Sequence, residues 1–286
     1  MSNTIVYQED WETKLQERLN HNNTWKEVCE VIYTDTKTLH RPYDTDPAVQ
    51  TGATRGSAYT YQDITNNDDS VAIDTYDVLP VLIDRADLAQ SQYNNQMILA
   101  ERQGRLIDER LETAMLAQHA QWTDFDNASI GGGAGNITVT VSNIDDIVSG
   151  ILREIREANG QDLMDRNGAF IIWRAADFEK LEAFARANGF SMADAALKNG
   201  LSTKGVFYMG AWHYSSNKHA SGHLFAGVRK AFTLGICRST YGKVVVVDEP
   251  TTGSGNISGI GVVSRVDYKF EAWVKVTPVL FDVLVA

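Results

Sequence analysis

Three histidines stand close together in the segment HYSSNKHASGH: His213, His219 and His223. Neutral imidazoles at such spacings hold zinc when further ligands complete a tetrahedral set. That run contains no carboxylate and no cysteine, so a polar hairpin is the favoured reading. The glycine runs Gly131–Gly135 and Gly253–Gly261 look like phosphate cradles. Neither contains GxxxxGK(S/T) or opens a well-marked helix, so both read as turns. The acidic pairs Asp68–Asp69 and Asp145–Asp146 have the residue types of an acid/base couple. Solvated turn and helix-start positions explain them more simply. GxSxG, HExxH and paired CxxC are absent from the sequence. No catalytic residue, no metal and no cofactor is assigned, and the chain reads as non-enzymatic.

Composition narrows the classes further. A chain of 286 residues can bury one sizeable core or two small ones. Its hydrophobic content of 43% and charged content of 22% suit a folded soluble protein. No stretch has the ~18–20 apolar residues of a membrane span, and MSNTIVYQEDWETK lacks a signal-peptide core. Cys29 and Cys237 sit in unrelated segments and read as two reduced thiols. The net charge is −11, with Lys and Arg spread out. A duplex-binding surface is disfavoured, because affinity there comes from neutralising phosphates. A protein that merely encloses nucleic acid needs no such surface.

The elements that must position these residues are dominated by one long helix. Asp84 to Gln121 contains no proline, no valine and a single glycine, Gly104. Asp84 is a good N-cap, and Asp87 adds charge at the positive end of the dipole. Such a helix would span about 55 Å. Tyr93, Met97, Ala100, Gly104, Ile107, Leu111 and Ala114 form a narrow stripe. Elsewhere the surface is polar, with Glu101–Arg105 and Arg105–Glu109 placed as i,i+4 pairs. Ser70 to Ile83 feeds the helix as an extended strand. A coiled-coil helix needs similar spacing, but strong apolar residues are few and Gly104 occupies the seam.

Met1 to Glu30 is polar, with a short amphipathic helix expected over Asp10 to Asn20. Val31 to Tyr43 suits a strand. Asp44 to Asp69 carries Pro47, Gly52 and Gly56 with few core formers. Loops of that length are seldom idle in compact domains. With the alternation at Val71, Ile73, Tyr76 and Val78, it reads as a projecting hairpin that needs a partner surface. After the long helix, Asn136 to Val141 alternates as a strand. Ile144, Ile147, Val148, Ile151, Leu152 and Ile155 then give the cleanest amphipathic helix, capped by Asn143 and stopped at Asn159–Gly160. Ala169 to Trp173 is a short buried strand. Helices are expected over Asp177 to Ala187 and Ser191 to Lys198, each closed by Asn-Gly. Ile144 to Ile236 reads as an α/β unit. Lys243 to Asp248, Gly261 to Lys275 and Val279 to Val285 read as strands.

The junction TYQDITNNDDSVAIDTYDVLPVLIDRADLAQSQYN, with Ile83–Asp84 and Ala89–Gln90–Ser91, resembles the major capsid proteins of tailed double-stranded DNA phages. These have the Hong Kong 97-type fold. NIDDIVSGILREIREANG with AFIIWRAADFEKL, then GVFYMGAWHYSSN, then the C-terminal hairpin, are similar to successive parts of that family. Together they run from about Thr34 to Ala286.

The resemblance implies an α+β Hong Kong 97-type capsid fold. Its parts would be an N-arm (1–33), an E-loop with its base strands (34–83), and a P-domain on a spine helix (84–143, helix 84–121). An α/β A-domain (144–238), a P-domain β-hairpin (239–275) and a C-terminal strand (276–286) of the A-domain would follow. In the family, E-loops lie over the neighbouring subunit's P-domain, and P-domain tips meet near three-fold points. It implies E-loop contacts at Arg55, Tyr59, Tyr61 and Asp63, tip contacts at Thr252, Ser254 and Asn256, and arm anchors at Trp11 and Trp25. The implied partners are the chain itself, in pentamers and hexamers, with a portal, a separate scaffolding protein and a decoration protein. DNA would be enclosed without sequence-specific binding, with no membrane, in a virion assembled in the host bacterial cytoplasm. About thirty residues precede the first strand, so a scaffold is expected as a separate protein. No lysine lies between Pro42 and Ile83, so the covalent cross-link of some members is not expected. An encapsulin-like compartment shell shares the fold and is the alternative; a soluble enzyme is the reading from another class.

Overall fold

The β-branched segments pair into two large sheets and a separate two-stranded arm. The computed structural model describes residues 23–52, 54–56, 58, 60–84, 95–130, 135–187, 205–248, 250–252, 255–256 and 259–286. Helix α1 (Trp25–Val28) leads into β1 (Glu30–Thr34), and β2 (Thr38–Asp44) follows. The strand expected over Val31 to Tyr43 is thus two. It breaks where the hydroxyls of Thr34 and Thr36 bond each other at 2.7 Å, a local alternative to the ladder. β2 pairs antiparallel with β3 (Asn66–Ala72), from Thr38 opposite Ala72 to Asp44 opposite Asn66.

The strand expected over Ser70 to Ile83 is also divided. Asp74 interrupts it, held by Lys269 at 3.0 Å and by the Thr75 hydroxyl at 3.2 Å, and β4 (Thr75–Asp84) then joins a different sheet. Asp84 is the last residue of β4, opposite Gly259, and the first turn it is expected to cap lies outside the described residues. Helix α2 is described over Asn95–Leu116. Ala89, Gln90 and Ser91 lie outside the described residues, as do the arm helix expected at Asp10 to Asn20 and Trp11. The helix stops short of Gln121. That side chain is used elsewhere, its amide oxygen accepting the Ala272 N–H at 3.2 Å.

β5 (Thr123–Asp124) follows. The strand expected over Asn136 to Val141 reduces to one bridge, Ile137 to Val285. Asn143 explains this. Its amide accepts from Thr140 N–H at 2.8 Å and donates to Thr138 O at 3.0 Å, bracing the turn. Asn143 therefore sits at the N-cap position of α3 (Ile144–Glu157) without capping it by its side chain. The apolar stripe of α3 is buried throughout. Asn159 closes it at φ 59°, and the Gly160 N–H reaches Ile155 O at 2.8 Å. A helix the periodicity does not announce, α4 (Gln161–Asn167), comes next, then β6 (Ala169–Arg174) and α5 (Ala175–Ala187). The helix expected over Ser191 to Lys198 lies outside the described residues.

The remaining strands are β7 (Val206–Tyr208), β8 (Ala211–Ser216), β9 (His223–Val228), β10 (Phe232–Cys237), β11 (Val244–Asp248), β12 (Thr251–Thr252), β13 (Gly255–Asn256), β14 (Gly259–Ala272) and β15 (Leu280–Leu284). One sheet has the order β5-β15-β9-β6-β8-β7. Its strand β6 is buried from Ala169 to Trp173, as befits a strand covered on both faces. The other sheet is built on β14. Tyr268 is opposite Ile236 of β10 and Thr75 of β4, so these strands lie on opposite edges of β14. β11 shares the β10 edge, and β1 runs parallel to β10. Phe232–Cys237, expected within the α/β unit, thus belongs to the second sheet. Its aromatic side chain makes the link between the two. Trp122 stacks on Phe225 at 3.7 Å, Phe225 meets Phe232 at 5.6 Å, and Phe232 stacks on Phe270 at 5.6 Å.

Candidate functional site

The β2–β3 arm extends beyond its ladder without a core of its own. Past Asp44 and Asn66, the Thr45 N–H donates to Thr65 O at 3.0 Å. Two glutamine side chains then replace backbone rungs. Gln62 accepts from Ala48 N–H at 2.8 Å and donates to Ala48 O at 2.9 Å. Gln50 bonds Thr60 in the same reciprocal way. A side-chain amide copies the donor and acceptor of a peptide, so a chain too irregular to pair as strands is still held narrow. Apolar groups here face water: Tyr61 is 92% exposed, and Val49 and Ile64 are exposed too. Arg55 and Asp63 are exposed on the same loop, while Tyr59 lies outside the described residues.

The base of the arm is tied to the end of β14. Asp69 accepts the Val274 N–H at 3.1 Å, Lys275 pairs with Asp46 at 2.7 Å, and Arg41 lies 5.1 Å over Trp273 while bonding Glu30 at 2.5 Å. Asp68 instead pairs with His40 at 2.6 Å. The adjacent carboxylates of Asp68 and Asp69 thus serve separate partners rather than one acid/base centre.

The second sheet presents an apolar outer face. Opposed residues of antiparallel strands share a face. Leu82, Gly261 and Val247 form one row, Pro80, Val263 and Val245 the next, and Val78 stands opposite Arg265. Tyr76, Val78, Leu82, Val245 and Val247 are all exposed. The alternating residues Tyr76 and Val78 therefore face outward. At the hairpin tip, β12 pairs with β13, Thr252 opposite Gly255 and Thr251 opposite Asn256, while Ser254 lies outside the described residues.

Helix α2 covers the inner face of that sheet. Its buried stripe runs through Gln103, Ile107, Leu111, Glu112, Ala114 and Met115, and Gly104, expected in the seam, is exposed. Ile107, Leu111 and Ala114 lie in the stripe as expected, and two polar residues widen it because they have partners across the fold. Gln103 donates to Leu79 O at 3.1 Å and Val262 O at 3.0 Å, and accepts from the Ser264 hydroxyl at 2.6 Å. Glu112 accepts from Thr24 N–H, the Thr24 hydroxyl and Trp25 N–H at 2.8, 2.6 and 3.0 Å. Trp25 is fully buried and meets Tyr241 edge-on at 6.5 Å. Glu109 pairs with Lys218 at 3.0 Å.

The three clustered histidines do not converge. His213 is fully buried, accepting at Nδ1 from Trp173 Nε1–H at 2.9 Å and donating from Nε2 to Tyr208 O at 3.0 Å. Burial pushes its pKa down to about 4, against a smaller opposing effect of the Tyr208 carbonyl. Both ring nitrogens are committed and it stays neutral. His219 lies on the connection from β8 to β9. His223 turns instead toward Asp282, Nδ1 to Oδ2 at 2.7 Å, and stacks on His119 at 3.8 Å. Nothing in the linear sequence joins His119, His223 and Asp282; the pairing of β9 with β15 and the placing of the turn after α2 beside them do.

No protein-family model and no curated protein matches the chain. Solved structures do. A chain from Mycobacterium phage Che8 is 15% identical, with 98% of each chain covered and a TM-score of 0.72. The bacteriophage PhiM1 mature capsid is 12% identical over 98% of this chain and 92% of that one, with a TM-score of 0.65. The capsid of a native GTA particle is 12% identical over 98% and 96%, with a TM-score of 0.68. The chain shares its mixed α+β fold with these phage and capsid structures.

Proposed function

We propose that this chain is the major capsid protein of a tailed bacteriophage. It assembles into pentamers and hexamers that close into an icosahedral head around double-stranded DNA. The carrying observation is the pairing of two incomplete surfaces: an arm with exposed Tyr61, Val49 and Ile64, and a sheet face with exposed Tyr76, Val78, Leu82, Val245 and Val247. Exposed apolar patches of this kind mark interaction sites. A neighbour's arm laid on that face buries both, and many such weak contacts act together through multivalency.

In this reading residues 34–83 form the E-loop and its base, the hairpin tip at 251–256 meets other subunits, and 144–228 with 276–286 forms the A-domain, while β10 goes with the sheet built on β14. Arg55, Tyr61 and Asp63 contact the neighbour. The role is structural rather than enzymatic, in the virion, with assembly in the host cytoplasm. A portal, a separate scaffold and a decoration protein are the further partners. The capsid neighbours do not favour an encapsulin-like compartment. Negative-stain microscopy of the purified chain, with and without its scaffold, tests this: capsomers, shells or polyheads are expected. A monodisperse monomer at high concentration in both samples would overturn it.

A further inference from the structure

We propose that His119, His223 and Asp282 form a zinc site. The three residues each offer a ligand atom, and all of these atoms lie within 4.8 Å of one another. Two imidazoles and a carboxylate are a donor set that zinc favours, with a fourth position left for water. The burial is graded in a useful way. The Asp282 side chain is 4% exposed, whereas His119 is 33% and His223 24% exposed. The site is therefore anchored at its floor and open at its mouth.

Asp282 supplies the second, independent observation. Its Oδ2 faces His223 Nδ1 at 2.7 Å and His119 Nδ1 at 3.8 Å, but its Oδ1 is buried with no hydrogen-bond partner. A buried carboxylate oxygen left unpaired is costly, and a cation drawn to this carboxylate offsets that cost. Zinc would displace the direct His223–Asp282 contact and turn the stacked His119 and His223 rings, 20° apart in plane, until their Nδ1 lone pairs converge on the ion. The ligands come from three places: the turn after α2, the start of β9 and the middle of β15. A bound ion would staple the end of the long helix to the six-stranded sheet. The site does not depend on the shell reading.

The test uses the untagged full chain, stripped with a chelator and dialysed against zinc chloride. Elemental analysis should find one zinc per chain, and zinc should raise the thermal midpoint. His119→Gln and His223→Gln should each lower zinc affinity by more than about tenfold, as losing a ligand exceeds the loss of an outer-shell partner. Cobalt(II) on the unaltered chain should give the visible ligand-field band of a tetrahedral nitrogen–oxygen site, a readout that needs no variant. Zinc held equally by both variants, magnesium binding as well as zinc, or a cobalt spectrum of the free aquo ion would each overturn the proposal.

Discussion

The Glu112 carboxylate accepts both the backbone N–H of Thr24, at 2.8 Å, and its hydroxyl, at 2.6 Å. A residue from the middle of the long helix thus fixes the point where the described chain enters the fold. Burial raises the Glu112 pKa, and the bonds from Thr24 and Trp25 oppose this. The folded state therefore holds the proton more tightly than the unfolded one. That contribution to stability is complete below the ordinary carboxylate pKa and is lost as pH rises through the folded value. Glu112→Gln should gain stability relative to the parent as pH climbs from about 4 to about 7, measured by thermal melts across that range. Glu112→Ala strands three buried donors and should cost about 2–4 kcal/mol. A Gln variant whose deficit is constant with pH would contradict this account.

Gln103 makes a sharper case, because the groups that receive its amide are two carbonyl oxygens. Gln103→Leu should lose about 1–3 kcal/mol, from unpaired carbonyls and the Ser264 hydroxyl. Gln103→Glu places a carboxylate against those oxygens and should be worse at pH 8, with the gap closing in acid. Denaturant melts at both pH values decide it.

Tyr61 separates folding from association. At 92% exposure it contributes nothing to the chain's own core. Tyr61→Ala should leave the thermal midpoint of the free chain unchanged and reduce the yield of assembled particles in sedimentation. Equal loss in both measurements would place Tyr61 in the fold instead.

The cysteines should differ in reactivity. Burial, helped by the Glu112 charge, pushes the Cys29 thiol well up, and it bonds Met115 Sδ at 3.4 Å. The Ser239 hydroxyl lowers the Cys237 thiol, which is partly exposed. Since the thiolate is the nucleophile, iodoacetamide should add once to the folded chain, at Cys237, and twice in denaturant. Intact mass and the Cys237→Ser variant check the assignment.

The parts of the fold legible in the sequence were those whose apolar pattern fits one element only. Helix α3 shows an unbroken stripe from Ile144 to Ile155, and β6 a run too apolar for anything but a doubly covered strand. The break at Asp74 was hidden because apolar residues continue on both sides of it, and Tyr76 and Val78 mark the outer face. In α2 the stripe through Ile107, Leu111 and Ala114 was legible, but Gly104 is exposed, and counting apolar residues misses Gln103 and Glu112, whose partners come from distant strands and from Thr24. The projecting arm was visible in its composition. The His119–His223–Asp282 cluster was not, since its members meet only after β9 and β15 pair.

Strand β14 runs for 14 residues, and its pairing has a mechanical meaning. Along one edge it is bonded to β4 from Gly259 to Tyr268. A pull on the hairpin tip along the strand axis would load those bonds side by side, in shear, instead of peeling them in turn. Beyond Tyr268 the tension passes into β10, and through Phe232 against Phe225 into the neighbouring sheet. The molecule is braced along a single line, so that strain at its outer tip is delivered to its best-packed interior.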